Sequence, residues 1–157
     1  MKIALFSDET DQAVHAAQEL QARYDFVAPD DADVGVALGG DGYILSILHQ
    51  NTQRQLPIYG MNRGTVGFML NGYSTENLEA RLHAAIPLSL HPLRLNATRT
   101  NGEQKTLYAI NEVSFIRQSQ QAAHIDILID DVCHMEKMFA DGVCIATPAG
   151  STAYNFA

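Results

Sequence analysis

The first half of the chain alternates short apolar runs with segments whose apolar residues recur at helical spacing. Residues 34–38 form an uninterrupted apolar run, which is typical of a parallel strand covered on both faces. Within residues 10–23, alanines and a leucine recur on one helical face. Strands are predicted at 2–6, 24–28, 34–38 and 58–61, and helices at 10–23, around 44–48 and at 75–85. Strands that alternate with helices predict an α/β domain with a parallel sheet.

The second half of the chain has no long helical period after Pro87. Asn101-Gly102 separates two strand-like segments, which is a strong short-range signal of a β-hairpin. Ile125, Ile127 and Ile129 occupy alternate positions, as in a strand with one buried face. The pattern therefore predicts an α/β domain at residues 1–87, followed by a β-rich, mostly antiparallel domain at residues 88–157.

The last residues carry the start of a further element. Ser151-Thr152 is expected to cap a helix only a few residues before Ala157. A helix that stops within its first two turns is marginal in water. We therefore expect the second domain to be incomplete and the chain to be part of a longer protein.

Composition and charge restrict the function classes. Hydrophobic residues make up 46% of the 157 residues, so a packed core can form. The net charge of −8 argues against a general nucleic-acid-binding protein, which needs a basic surface to neutralise phosphates. No apolar run reaches membrane-spanning length, and the N-terminal residues do not form a signal peptide. A cytoplasmic protein with neither nucleic acid nor membrane as partner is expected.

A first glycine turn, Gly39-Gly40-Asp41-Gly42, lies between the apolar run at 34–38 and a helical segment. In open α/β folds, ligands bind at the carboxyl ends of parallel strands. Paired glycines let the backbone approach a phosphate closely, and the helix N-terminus adds free N–H donors. A carboxylate would repel phosphate, so Asp41 indicates a metal ligand or a proton acceptor. The alternative is a tight turn in which Asp41 only caps the helix.

Three further segments suit a nucleotide. Residues 60–68 form a second glycine turn, in which Phe68 is either a core residue or an aromatic surface for a base. Asn111-Glu112 offers an amide and a carboxylate, which suit an adenine edge and a ribose hydroxyl. Residues 141–154 combine a strand, a Pro-Gly-containing turn and a hydroxyl-rich helix start, with Tyr154 available for stacking. The alternative for this last segment is a well-capped helix.

Two common nucleotide-binding motifs are absent from the sequence. There is no G-x-x-x-x-G-K-[ST], and the three lysines are Lys2, Lys105 and Lys137, which excludes a P-loop kinase. There is also no G-x-G-x-x-G after the first strand, which weakens a Rossmann-type oxidoreductase.

The four segments together resemble the motifs of the NAD kinase family in order and approximate spacing. The resemblance runs from about residue 34 to the end of the chain and rests on residues 39–42, 60–68, 111–112 and 141–154. It implies an N-terminal α/β domain and a C-terminal β-rich domain. It also implies the reaction of ATP with NAD to give ADP and NADP, assisted by a divalent metal ion, most simply Mg²⁺.

The resemblance carries roles onto individual residues. Asp41 corresponds to the acceptor of the proton from the 2′-hydroxyl of the adenosine ribose. Asn111 and Glu112 correspond to contacts with the adenosine portion, and Asp141 to a contact with the nicotinamide end across a subunit interface. The implied nucleotide-binding set is Gly39, Gly40, Gly42, Phe68, Asn111, Glu112, Asp141, Ala149, Thr152, Ala153, Tyr154, Asn155 and Ala157.

Several points stay open beside this resemblance. Tyr43 stands where many members have threonine, and Ala149 stands where threonine or serine is common. The metal ligands are not assigned, since Asp41, Glu112 or the ATP itself can supply them. The preference for ATP or polyphosphate and for NAD or NADH is likewise open. The resemblance implies that the protein is a homo-oligomer and, specifically, a tetramer.

Two rival functions belong to different classes. A lipid kinase of the diacylglycerol or sphingosine kinase type shares the Gly-Gly-Asp-Gly turn, but it does not account for residues 111–112 or 147–154. A non-catalytic dinucleotide-binding or regulatory fragment is the second rival. Phosphorylation of NAD by the purified protein distinguishes these functions.

Overall fold

The chain folds into two compact units, Met1–Leu88 and Ser89–Ala157. The structure is a computed structural model that describes residues 1–51, 54–65 and 67–156, with Thr152 and Phe156 described by their backbone only. The division lies close to residue 87, where the hydrophobic pattern changes. Within the described residues, no helix is long and apolar enough to cross a lipid bilayer.

Within the described residues, the first unit contains three parallel strands, three α-helices and a 3₁₀ helix at Pro29–Asp31. The strands are β1 (Ile3–Ser7), β2 (Val34–Gly39) and β3 (Ile58–Asn62), and the helices are α1 (Asp11–Gln21), α2 (Asp41–Gln50) and α3 (Leu78–Ala84). The sheet has the order β1-β2-β3, and both pairs of neighbouring strands are parallel. The predicted parallel α/β class is thus confirmed for this unit.

Two sequence-based predictions in the first unit are wrong. The strand predicted at 24–28 does not form. Val27 donates one hydrogen bond to the carbonyl of Ile3 (2.9 Å). Tyr24 and Phe26 pack against the core, so the apolar residues of this segment contribute to packing although the segment is not a strand. The helix predicted at 75–85 begins only at Leu78, because Asn77 adopts a left-handed conformation (φ 52°, ψ 39°) that an α-helix cannot contain.

Helices cover both faces of the parallel sheet. One face contributes Val36, Leu38 and Met61 to a buried cluster that also contains residues of α1 and α3. On the opposite face, a Cβ added to Gly60 would lie 3.2 Å from Cδ1 of Ile44 in α2, as expected because neighbouring strand residues point to opposite faces. The carboxyl ends of β2 and β3 therefore lie at the same edge of a sheet that is covered on both sides.

In the part of the second unit that the structure describes, six strands pair two by two. They are β4 (Leu93–Thr98), β5 (Gln104–Ala109), β6 (Glu112–Ile116), β7 (Ala123–Ile129), β8 (Val132–Ala140) and β9 (Gly142–Ala146). The pairs β4–β5, β6–β9 and β7–β8 are all antiparallel. Gly102 closes the first hairpin with a φ of 85°, as Asn101-Gly102 predicts. The predicted β-rich, antiparallel class is confirmed for this unit.

The helix expected from Ser151 is not an α-helix in the described residues. Two short 3₁₀ helices, Gly150–Thr152 and Tyr154–Phe156, take its place. Ala153 separates them with a φ of −92° and a ψ of −133°, which is outside helical geometry. The Ser151 hydroxyl donates to the carbonyl of Pro148 (2.7 Å), so this side chain binds the preceding turn instead of capping an α-helix.

Candidate active site

The first glycine turn (Gly39–Gly42) connects β2 directly to α2. β2 ends at Gly39 and α2 begins at Asp41, so Gly40 is the N-cap residue, with extended backbone angles (φ −99°, ψ 178°) and no side-chain cap. A Cβ added at Gly40 or Gly42 would meet no atom within 4 Å. The turn therefore presents open backbone at a helix N-terminus, a geometry suited to a phosphate or another anion.

The Asp41 carboxylate does not cap its own helix but binds the second glycine turn (Gly60–Phe68) and the residue after it. Oδ2 accepts a hydrogen bond from the backbone N–H of Phe68 (2.9 Å), and Oδ1 accepts one from the N–H of Met69 (3.0 Å). An ionised carboxylate has about four acceptor positions, so two stay available for a substrate hydroxyl. The helix-capping interpretation of Asp41 is wrong, and its carboxylate instead connects the two glycine turns.

Close backbone packing holds the two glycine turns together. The N–H of Arg63 donates to the carbonyl of Gly39 (2.8 Å), and Asn62 Oδ1 accepts from the N–H of Gly64 (2.8 Å). A Cβ at Gly64 would lie only 3.1 Å from the Cα of Gly40, a separation tighter than ordinary van der Waals contact. Glycine at position 64 therefore allows the second turn to approach the first.

Phe68 projects from the second glycine turn into solvent. Its side chain is 83% exposed, although its backbone N–H is held by Asp41. The interpretation of Phe68 as a core residue is therefore wrong. An exposed aromatic ring beside the turns is available to a planar ligand.

Tyr43, one of the two departures from the family pattern, packs against the first glycine turn. A Cβ at Gly39 would lie 2.8 Å from Cδ1 of Tyr43, so the ring lies directly over this glycine. Partial burial raises the pKa of the Tyr43 hydroxyl above its ordinary value, and the negative charge of Asp8 makes a smaller contribution in the same direction. The phenol therefore stays neutral at physiological pH and covers one side of the turn.

In the second unit, strand pairing brings together the motifs at 111–112 and 147–150. The β6–β9 register places Glu112 opposite Ala146, and the N–H of Thr147 donates to the carbonyl of Asn111 (2.7 Å). The Thr147 hydroxyl donates to the carbonyl of Ile110 (2.7 Å) and accepts from the N–H of Gly150 (3.0 Å). Any Cβ at Gly150 would collide with the carbonyl oxygen of Asn111. The turn at residues 147–150 therefore packs against the backbone of residues 110–111, at the start of β6.

Asn111 and Glu112 each carry a buried side-chain oxygen that has no partner among the described residues. Asn111 Oδ1 and Glu112 Oε2 are shielded from solvent and accept no hydrogen bond from any described residue. A buried polar atom left in this state costs about 1–3 kcal/mol. Both oxygens are therefore able to accept N–H or O–H donors from another molecule.

The other predicted binding residues have mixed surroundings. Tyr154 is 65% exposed, and Asn155 is also exposed. Ala149 and Ala153 are partly buried beside the 3₁₀ helices. The side chain of Thr152 and the whole of Ala157 lie outside the described residues, so these two predictions have no structural account.

Asp141 forms an ion pair within its own chain. Its Oδ1 lies 2.5 Å from Nε of Arg117, and its carbonyl accepts from the backbone N–H of Arg117 (2.8 Å). The Asp141 side chain is nevertheless 81% exposed, so it can also contact another molecule. Sequence patterns did not single out Arg117, since no local signal shows that the end of β6 lies beside the start of β9.

A family model described as ATP-NAD kinase N-terminal domain matches residues 5–86. The chain is 46% identical over 153 residues to the NAD kinase of Rhizobium meliloti (strain 1021). The match covers 98% of this chain and 60% of that protein. The chain is 44% identical over 156 residues to the NAD kinase of Zymomonas mobilis subsp. mobilis, again covering 98% of this chain and 60% of that protein.

A solved structure shares the fold. The crystal structure of yeast NADH kinase complexed with NADH matches 99% of this chain and 60% of that chain, with a TM-score of 0.74 and 21% sequence identity. At this identity the likeness shows the fold alone. The chain spans about 60% of the length of the curated relatives it matches. Because the family model covers more than half of the residues, the chain belongs to the ATP-NAD kinase family through its N-terminal domain.

Proposed function

We propose that the intact protein carrying this chain is an NAD kinase. It transfers a phosphoryl group from ATP to the 2′-hydroxyl of the adenosine ribose of NAD, giving NADP. Membership of the ATP-NAD kinase family supports this proposal. So do relatives named NAD kinase that are 44–46% identical over 98% of the chain.

Asp41 is the proton acceptor in this proposal. Phosphoryl transfer needs alignment of donor and hydroxyl, charge neutralisation and removal of one proton. The carboxylate lies at the carboxyl end of β2, partly exposed, and two backbone N–H groups fix both of its oxygens. This fixed orientation supports a role in which a free lone pair accepts the hydroxyl proton.

The two glycine turns bind the phosphates of the donor. Gly40 and Gly42 present backbone with no side chain within 4 Å of the Cβ position, and the first N–H groups of α2 have no intrahelical partner. Such groups bind anions without needing lysine. Phe68, exposed on the second turn, contacts the NAD.

We propose Mg²⁺ as the divalent metal ion that assists the reaction. Among the described residues, no group of three or more His, Cys, Asp or Glu side chains forms a metal cage. Mg²⁺ is commonly held by one or two carboxylates together with substrate phosphates, and a single carboxylate such as Asp41 or Glu112 fits that arrangement. When bound, the ion offsets negative charge on the donor phosphates.

The adenosine portion of NAD binds at the second unit in this proposal. The unpartnered oxygens of Asn111 and Glu112 accept hydrogen bonds from the adenine amino group and a ribose hydroxyl. Tyr154, which is 65% exposed, stacks on the base. Asp141 contacts the nicotinamide end from a neighbouring subunit, for which its exposed carboxylate is suited.

We also propose a homo-oligomer, a tetramer by resemblance, in the cytoplasm. Several large apolar side chains on the strands of the second unit are exposed, among them Ile116 at 68% and Phe139 at 69%. Apolar surface on strands favours association. Multi-angle light scattering that gives a stable monomer of the intact protein contradicts this part of the proposal.

The observation that carries the enzymatic proposal is the Asp41 carboxylate, held between two glycine turns at the carboxyl edge of a parallel sheet. The test incubates the intact protein with ATP, Mg²⁺ and NAD and measures NADP with an NADP-specific dehydrogenase. We expect NADP formation that depends on both substrates. Binding of NAD without turnover would favour a regulatory protein, and phosphorylation of diacylglycerol or sphingosine instead of NAD would favour a lipid kinase.

A further inference from the structure

Arg63 lies where β3 passes into the second glycine turn. Its backbone N–H donates to the carbonyl of Gly39 (2.8 Å), and the next residue, Gly64, packs closely on Gly40. The backbone of Arg63 therefore lies beside the first glycine turn, at the carboxyl edge of the sheet.

Two contacts fix the direction of the Arg63 guanidinium. Nε donates to the carbonyl of Gln12 (3.3 Å), and Cζ lies 4.3 Å from the centroid of the Tyr73 ring. Tyr73 is itself anchored, because its hydroxyl lies 2.6 Å from Glu19 Oε2 and 3.2 Å from the carbonyl of Ala16. The guanidinium is thus preorganised, which reduces the conformational entropy lost on binding.

The positive charge of Arg63 is not neutralised within the part of the first unit that the structure describes. No described carboxylate forms an ion pair with it, and its Nη1 and Nη2 atoms donate to no described acceptor. The other arginines of the unit have partners: Arg23 binds Glu76, Arg54 binds Asp30, and Arg81 donates to the carbonyls of Ser74 and Gly72. Lys2 precedes β1 at the opposite edge of the sheet.

We propose that Arg63 binds the polyphosphate chain of the phosphoryl donor through Nη1 and Nη2. A guanidinium presents parallel donors that match two phosphate oxygens. The two glycine turns contain no lysine, so Arg63 supplies the charge that backbone N–H groups lack. The identity of the donor rests on the proposed function, whereas the anion site itself does not.

The direct test measures binding of inorganic tripolyphosphate to the intact protein by isothermal titration calorimetry. Arg63→Gln should weaken the Kd by about tenfold or more, because charge-assisted hydrogen bonds are lost. Arg63→Lys should bind with intermediate affinity, since it keeps the charge but not the planar fork. Arg54→Gln is the matched control, because Arg54 pairs with Asp30 (2.8 Å) on the surface, and it should bind as the wild type does.

The kinetic test separates donor binding from general damage. In Arg63→Gln, the KM for ATP should rise by about the same factor as the Kd, while the KM for NAD stays within about twofold. Equal rises in both KM values would assign Arg63 a merely structural role. Unchanged tripolyphosphate affinity in either Arg63 variant, or no tripolyphosphate binding by the wild type, would also overturn the proposal.

Failure of the anion site and failure of the enzymatic function give different results. If tripolyphosphate binding depends on Arg63 but no NADP forms, the arginine site stands and the NAD kinase function fails. If NADP forms with an ATP KM that Arg63→Gln does not change, the function stands and the arginine site fails. Should Arg63→Gln not fold, Arg63→Lys gives the same comparison, because loss of the fork alone lowers the affinity.

Discussion

Replacing Asp41 with asparagine separates proton transfer from support of the second glycine turn. Both carboxylate oxygens accept backbone N–H groups, from Phe68 (2.9 Å) and Met69 (3.0 Å). Asparagine keeps one acceptor oxygen, while its NH₂ group faces the other N–H, so one of the two bonds is lost in either orientation. A hydrogen bond to a charged group contributes about 1.5–3 kcal/mol. We expect a loss near the lower end, because the side chain is partly exposed.

The expected loss of activity is larger than this loss of stability can explain. A domain with an ordinary unfolding free energy of about 5–15 kcal/mol stays folded after losing about 1.5 kcal/mol. A positioned general base contributes about 10²–10⁴ in rate, equivalent to about 2.7–5.5 kcal/mol in the activation barrier. If Asp41 accepts the proton, kcat of Asp41→Asn falls by this factor while the protein remains folded.

The assay compares initial rates of NADP formation with urea unfolding of the same proteins. Asn62→Ala is the matched control, since Asn62 Oδ1 holds the N–H of Gly64 (2.8 Å) in the same turn without touching the carboxylate. We expect similar destabilisation in both variants and a large loss of kcat only in Asp41→Asn. Activity of Asp41→Asn within a few-fold of wild type refutes the reasoning. An equal loss of kcat in Asn62→Ala does so too, because turn order would then explain both effects.

Three further predictions concern recognition, packing and pH. Tyr154→Ala should raise the KM for NAD by about fivefold, because stacking contributes on the order of 1 kcal/mol, with the melting temperature unchanged since the ring is 65% exposed. Gly64→Ala should destabilise the protein by about 1–3 kcal/mol in urea unfolding, because its Cβ would lie 3.1 Å from the Cα of Gly40. Gly42→Ala, whose Cβ meets no atom within 4 Å, should change the unfolding free energy by less than about 1 kcal/mol. Burial, reinforced by a hydrogen bond to Glu19, raises the pKa of Tyr73 to about 12. The folded protein then keeps a proton that the unfolded chain loses near pH 10, so the unfolding free energy should fall from about pH 10 to about pH 12. Tyr73→Phe should reduce this slope and leave the part that the raised pKa of Tyr43 contributes.

Each of these predictions has a contrary outcome. An unchanged KM for NAD in Tyr154→Ala would place the adenine elsewhere. Equal stabilities of the two glycine variants would show that the turns are not in close backbone contact. A pH slope that Tyr73→Phe leaves unchanged would assign the alkaline destabilisation to another group.

Local patterns predicted most elements because their signals lie within a few residues. The apolar run at 34–38 corresponds to β2 (Val34–Gly39) in the structure, and Asn101-Gly102 lies in a hairpin turn with Gly102 at φ 85°. The strand predicted at 24–28 was wrong because a local pattern cannot identify what an apolar residue packs against. Residues 24–28 are apolar because Tyr24 and Phe26 pack on the core, and periodicity does not distinguish packing from strand pairing. The roles assigned to the binding residues stay predictions.

The sequence by itself determined the class of each unit, the turns at the carboxyl edge of the parallel sheet and the family. Hydrophobic periodicity and turn chemistry are local properties, so they are readable from neighbouring residues. Only the tertiary structure decided which loops meet. The Asp41 carboxylate binds the N–H groups of residues 27 and 28 positions away, and β6–β9 pairing brings Thr147 to Asn111. The position of the Arg63 guanidinium, against the carbonyl of Gln12 and the ring of Tyr73, also depends on packing, because contacts between distant segments follow from how whole elements bury their apolar faces.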